Sequence, residues 1–207
     1  MSGKIAAPHH SIVDWDFQQD GTGRSLDAAY YISPPTSLKL FQFDALWSEA
    51  ILCRIPDTLV LPQGEFRTWF RKGIARLIPC LFRNQAPLGT SNGWDCYRIY
   101  LTGGFAQLER WDDGAPHYWT FTPCIIPINE WVHFRVFWYN GKTPAEREAL
   151  CVDIYLEIDG QWVKQGDTLY DTLNKWKDSA INRCGFFGWG YDPYIEWWDD
   201  TEIWGPV

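Results

Sequence analysis

Four stretches of the sequence place arginine, aromatic and carboxylate side chains at alternate positions, out of phase with an apolar row. In 65–71 the row Arg67, Trp69, Arg71 alternates with Phe66, Thr68, Phe70; in 94–101, Trp94, Cys96, Arg98 and Tyr100 alternate with Tyr97, Ile99 and Leu101. In 131–139, Trp131, His133, Arg135, Phe137 and Tyr139 oppose Val132, Phe134, Val136 and Trp138. In 150–158, Cys151, Asp153, Tyr155 and Glu157 oppose Leu150, Val152, Ile154, Leu156 and Ile158. Alternate residues of a strand point to opposite faces, so each stretch has one core row and one outward row. A sugar offers an apolar face of C–H bonds and a rim of hydroxyls. Its binding surface therefore needs flat rings beside fixed donors and acceptors. Trp69, Arg98, Tyr100, His133, Arg135, Asp153 and Tyr155 supply both, and are expected to share one sheet surface that binds glycan. The same residue types also make ordinary cross-strand ring and ion pairs, on a face open to water or covered by a neighbouring subunit.

The elements that must position these residues are strands. Strand patterns cover 37–43, 50–55, 65–71, 74–82, 94–101, 105–111, 117–121, 131–139, 150–158, 161–163, 183–189 and 195–204. Turn chemistry separates them: Ser-Pro-Pro at 33–35, Gly-Gly at 103–104, Asn-Gly at 92–93 and 140–141, Asp-Gly at 113–114 and 159–160. Only 143–148 and 172–179 are compatible with helix. So many short strands imply an antiparallel sandwich or barrel, and 207 residues without a composition break imply one domain spanning 1–207.

Composition narrows the partners. Fourteen Trp, ten Tyr and twelve Phe are more aromatic surface than a core of this size needs, so some belongs to a contact surface. A net charge of −8 with no basic stripe excludes nucleic acid, and no apolar run approaches the ~20 residues of a membrane-spanning helix. MSGKIAAPHH has no apolar signal region, so secretory export is not expected. Cys53, Cys80, Cys96, Cys124, Cys151 and Cys184 stand 16 to 33 residues apart with no C-x-x-C pair. They read as buried thiols rather than a disulfide or zinc framework.

Trp131-Val-His-Phe-Arg-Val-Phe-Trp138 resembles the W-x-x-F-x-V-x-W strand of concanavalin A-like lectin and glucanase domains. It is followed, as there, by an alternating strand, an Asp-Gly turn and a Trp. Glu196-Trp-Trp-Asp-Asp-Thr-Glu-Ile-Trp204 is similar to the closing strand of such jelly rolls, and Asp14-Trp-Asp-Phe17 with 33–40 to their first two strands. The resemblance implies a two-sheet antiparallel jelly-roll β-sandwich with glycan on its concave sheet. It also implies that Asp14, Asp16, Asp199 and Asp200 could hold a structural calcium where first and last strands pair.

The same resemblance raises an enzymatic alternative, a glucanase or a polysaccharide lyase. Retaining glucanases need two carboxyl groups ~5 Å apart. The nearest pattern, Glu196, Asp200 and Glu202 on one face, has the wrong spacing, and Glu157-Ile-Asp159 runs into a turn. His133, Arg135, Tyr139 and Arg98 match lyase residue types, but the Q-x-H and Y-x-K-x-G-x-Y motifs are missing. There is no Ser-His-Asp arrangement and no phosphate-cradling glycine loop. The reading is a recognition module that binds glycan or neighbouring subunits, placed on the surface of a virus or phage particle as a decoration or tail component.

Overall fold

The computed structural model describes residues 2–6, 15–17, 23–29, 31–32, 37–42, 48–53, 62–73, 77–85, 95–179, 183–189 and 194–206. The expected turns at 33–35 and 92–93, together with Asp14 and Trp94, lie outside them. The described residues form sixteen strands. In chain order the first eight are β1 (Ser2–Ala6), β2 (Trp15–Phe17), β3 (Gly23–Asp27), β4 (Ser37–Gln42), β5 (Ser48–Cys53), β6 (Gly64–Lys72), β7 (Leu77–Asn84) and β8 (Cys96–Leu101). There follow β9 (Phe105–Asp112), β10 (Ala115–Pro123), β11 (Trp131–Lys142), β12 (Glu148–Ile158), β13 (Gln161–Lys164), β14 (Leu169–Asp171), β15 (Arg183–Trp189) and β16 (Tyr194–Pro206). Among the described residues there is no helix. The stretches 143–148 and 172–179 are turns rather than helices, apart from the first residue of β12 at 148.

Two antiparallel sheets face each other. The nine-stranded sheet runs β13-β12-β11-β6-β16-β4-β3, with β1 added on β16 and β14 on β12. The seven-stranded sheet runs β10-β9-β8-β7-β15-β5-β2. The two Asp-Gly turns have the left-handed geometry that two-residue hairpins require, with Asp113 and Gly114 at φ 52° and 76°, and Asp159 and Gly160 at φ 50° and 74°. Asn140-Gly141, in contrast, continues β11 and pairs with Leu150 and Ala149.

The expected apolar rows meet between the sheets. Phe66, Phe70, Phe134, Val136, Trp138, Leu150, Val152 and Ile154 come from one sheet, and Phe82, Tyr97, Ile99, Leu101 and Leu108 from the other. Trp138 is fully buried and stacks on Phe82 with centroids 4.9 Å apart. A Cβ on Gly64 would stand 2.2 Å from the Trp138 ring, so only glycine lets β6 pass at that distance. Cys80, Cys96, Cys124, Cys151 and Cys184 are reduced cysteines outside any disulfide, all buried. Burial pushes Cys96 and Cys124 up to about 12.

One end of the core is polar. Asp171 of β14 accepts from Tyr97 Oη at 2.5 Å and from Arg110 NH1 at 2.6 Å, and the backbone N–H of Lys175 donates to Tyr97 Oη at 2.9 Å. A buried carboxylate is tolerated because each partner satisfies it. These bonds tie the segment 172–179 across the end of the sandwich.

Trp138→Ala should cost about 3–5 kcal/mol in urea-unfolding free energy, since it empties a fully buried site stacked on Phe82 and packed against Gly64. Tyr139→Ala, half-buried on the outward face, should cost clearly less, and equal losses would contradict this packing.

Candidate functional site

The outward face of the nine-stranded sheet brings together five of the seven residues expected to form one surface. Across β6 and β11, Trp69 lies opposite His133 and Arg67 opposite Arg135. Across β11 and β12, Arg135 lies opposite Tyr155 and Phe137 opposite Asp153. Two arginines face to face repel, and Glu65 resolves this by giving one carboxylate oxygen to Arg67 Nε and the other to Arg135 NH2, the latter at 2.8 Å. His133 is stacked on Trp69 at 4.5 Å and tilted against Trp162 at 4.5 Å. Its Nδ1 bonds Glu157, and since a carboxylate only accepts, Nδ1 carries the proton.

Most ring faces of this surface are already occupied by cations. Guanidinium groups sit over Tyr155 (Arg135, 4.8 Å), Trp204 (Arg67, 4.7 Å) and Trp197 (Arg71, 5.1 Å), contacts worth ~0.5–1 kcal/mol each at exposed sites. Asp153 receives Thr168 Oγ1 at 2.6 Å and Lys164 Nζ at 2.6 Å. A depression of about 270 Å³ remains, lined by Arg67, Trp69, His133, Asp200 and Glu202. Asp200 stands at φ 43° in a bulge where the register of β16 against β6 shifts between Asp199 and Glu202. That bulge corrects the expectation that Asp200 and Glu202 follow one strict alternation: the inserted residue brings Asp199 opposite Trp69 and Glu202 opposite Arg67. The Glu196 side chain lies outside what is described.

Arg98 and Tyr100 are not part of this surface. They lie on β8 of the other sheet, opposite Glu109 and Gln107 of β9. Alternation separates the two faces of each strand but carries no information about which sheet the strand joins, so one expected surface resolves into two, back to back. On the second, Glu109 accepts from Arg98 Nε, from Gln107 Nε2 at 2.8 Å and from Trp111 Nε1 at 2.9 Å. The Arg98 guanidinium lies 3.9 Å from the Trp111 ring centroid, and burial lowers its pKa against the opposing pull of Glu109. The β10 register sets Trp119 beside Glu109 and Phe121 beside Gln107. Trp119, Phe121 and Phe105 are 60%, 64% and 50% exposed. Sequence reading missed these three rings: the Asp113-Gly114 turn sets the β9–β10 pairing only as far as Pro116 opposite Trp111, and a register shift between Pro116 and Tyr118 then brings Trp119 beside Glu109.

Of the acids considered for calcium, Asp14 and the Asp16 side chain lie outside the described residues. Asp199 accepts the backbone N–H of Ile32 on Oδ2 at 2.7 Å and that of Asp200 on Oδ1 at 2.9 Å. A cation there would share both oxygens with those donors, which a carboxylate's remaining lone pairs permit. Asp95, Asp112 and Asp113 also cluster, with Lys175 on Asp112 and the Asp113 N–H on Asp95.

No protein-family model matches the sequence, and no characterised protein matches it. Solved structures do match in shape. An alginate lyase of family PL-14 from Aplysia kurodai superposes with a TM-score of 0.61 at 11% identity, covering 99% of this chain and 100% of that one. The Ca²⁺-bound exoplasmic/lumenal domain of VIP36 gives 0.58 at 12% identity over 100% and 90%. A conserved carbohydrate esterase of the Shiga toxin-encoding bacteriophage phi24B gives 0.58 at 12% identity over 100% of both chains.

Burial is the first cause of the lowered His133 pKa, outweighing Glu157. The unfolded chain therefore takes up this proton at higher pH than the folded one. Stability from the neutral imidazole is complete above about 6.5 and is lost as pH falls below it. The urea midpoint should decline on acidification in that window, and His133→Phe should flatten the decline; an unchanged slope would refute it.

At this level of identity the likeness establishes architecture alone: the chain has the two-sheet concanavalin A-like jelly-roll fold.

Proposed function

We propose that this chain is a single non-catalytic glycan-binding module whose sugar site is the outward face of β8–β10. The observation that carries the reading is the set of open rings, Trp119, Phe121 and Phe105, beside the Glu109 cluster of Arg98, Gln107 and Trp111. Rings 50–64% exposed can still receive a sugar's C–H face. On the opposite sheet most of the rings already carry a guanidinium, so Trp69, His133, Arg135, Asp153 and Tyr155 form the weaker candidate surface. The fold's occurrence in an alginate lyase, a carbohydrate esterase and VIP36, the last solved with mannose bound, supports glycan as the partner. The likeness to an esterase from a bacteriophage supports a phage or viral origin, and a place on the particle, as decoration or tail component, is part of the same proposal.

A structural calcium through Asp199 and Asp200 goes with this reading, supported by the Ca²⁺-bound VIP36 domain. A chelator should then lower the thermal midpoint, with calcium restoring it; an unmoved midpoint removes calcium from the reading.

On a polysaccharide array, Trp119→Ala and Phe121→Ala should each weaken binding roughly tenfold, about 1.4 kcal/mol, with little change in stability. Arg135→Ala and Tyr155→Ala should leave it intact. The reverse pattern would move the site to the nine-stranded sheet. Binding insensitive to all four, or reducing ends or unsaturated uronates released from the array glycans, would overturn the module reading.

A further inference from the structure

At the end of the sandwich spanned by 172–179 lies a depression of about 310 Å³, lined by Asn140, Gly141, Lys142, Glu148, Asn174 and Lys177. It is separate from both sheet faces. Behind it lies Arg83, fully buried. Arg83 NH1 donates to Asn174 Oδ1 at 2.7 Å and to the Lys175 carbonyl at 3.1 Å; NH2 donates to Asn140 Oδ1 at 3.1 Å and to the Pro62 carbonyl at 2.8 Å.

This fixes what the asparagines can offer. A guanidinium has donors and no acceptor, so both carboxamide oxygens must face it, and the amide orientation follows without ambiguity. Asn174 Nδ2 spends one hydrogen on Asn140 Oδ1 at 2.9 Å. Its second hydrogen, and both on Asn140 Nδ2, have no partner among the described residues. Both asparagines can thus present only N–H to a guest in the depression. The ammonium groups of Lys142 and Lys177 add two more donors, Lys142 also reaching Glu146 at 3.1 Å. Glu148 is the one lining carboxylate.

The backbone is bent to make this arrangement. Arg83, Asn174 and Trp176 stand at φ 49°, 44° and 57°, all left-handed. Asn adopts this region readily, but at Arg83 and Trp176 the strain persists only where surrounding contacts hold it, and such strain concentrates at functional sites. Here it turns Arg83 inward and Asn174 back over it. Arg83 Nε is buried without a hydrogen-bond partner among the described residues, while Asp171 and Asp178 lie close enough to favour the charged guanidinium that holds both asparagine oxygens inward. In a chain of net charge −8, this is a local concentration of donors.

We propose that the depression is an oxyanion-binding site that takes a carboxylate, sulfate or phosphate group through the amides of Asn140 and Asn174 and the ammonium of Lys177. The test is calorimetric titration of the full chain with sodium sulfate, sodium phosphate and sodium glucuronate against a sodium chloride control. Amide-proton NMR would follow the side chains of Asn140 and Asn174. Saturable binding above chloride, with both side-chain amide signals shifting, is the expected result. Lys177→Glu, an exposed change that should leave the fold intact, should weaken it at least tenfold. Glucuronate binding without sulfate or phosphate binding assigns the carboxylate of an acidic sugar; comparable binding of the inorganic ions assigns a free oxyanion. Trp119→Ala should leave all of this unchanged, so failure of the glycan reading and failure of this one are distinguishable. Heats no different from chloride, binding undiminished in Lys177→Glu, or unshifted asparagine amides would overturn the site.

Discussion

A column of stacked rings runs through this protein and the rest is arranged around it. Trp138 of the nine-stranded sheet lies on Phe82 of the other, Phe82 stacks on Tyr97 at 5.5 Å, and Trp176 meets Tyr97 edge-on at 5.5 Å. The column crosses from sheet to sheet and ends under the segment 172–179. It sets the distance between the sheets and obliges position 64 to be glycine. It also brings the Tyr97 hydroxyl to Asp171, so the apolar stack passes directly into the buried polar cluster.

With the inner rows committed to that column, the outer rows have freedom, and the two sheets use it differently. The nine-stranded sheet neutralises itself: arginines lie over rings, and carboxylates bridge arginines. The two guanidiniums set opposite each other on β6 and β11 would be unfavourable alone and are held by one shared glutamate. On β8–β10 of the seven-stranded sheet, by contrast, the recessed Glu109 gathers the polar contacts of Arg98, Gln107 and Trp111, and Trp119, Phe121 and Phe105 stand in solvent. A surface that has satisfied its own groups has little left for a ligand, whereas one with open rings gains from being covered.

Much of the fold was legible because period-two alternation is a local property. The strand 183–189 coincides with β15, and Trp131–Lys142 extends the expected 131–139. Trp138, read as core from its phase, is buried, and Tyr139 is not. The site was less legible, because a shared surface depends on which strands become neighbours. Arg98 and His133 have the same phase against their apolar rows and end on opposite sides of the molecule. The bulge at Asp200 was hidden for a related reason: it inserts one residue into an otherwise regular strand, and no residue type there demands it. Arg83 was hidden more completely. Its role depends on two asparagines 57 and 91 positions away, and nothing in its own segment marks it.

The buried thiols have a practical corollary. The thiolate is the reactive form, and burial keeps Cys80, Cys96, Cys124 and Cys151 protonated well past neutrality. Each therefore reacts with an alkylating reagent only while its own stretch of backbone is open. Cys80, Cys96, Cys151 and Cys184 mark β7, β8, β12 and β15, and Cys124 follows β10. The chain thus carries native reporters distributed over both sheets, and their alkylation rates would rank the strands by the frequency with which each one opens.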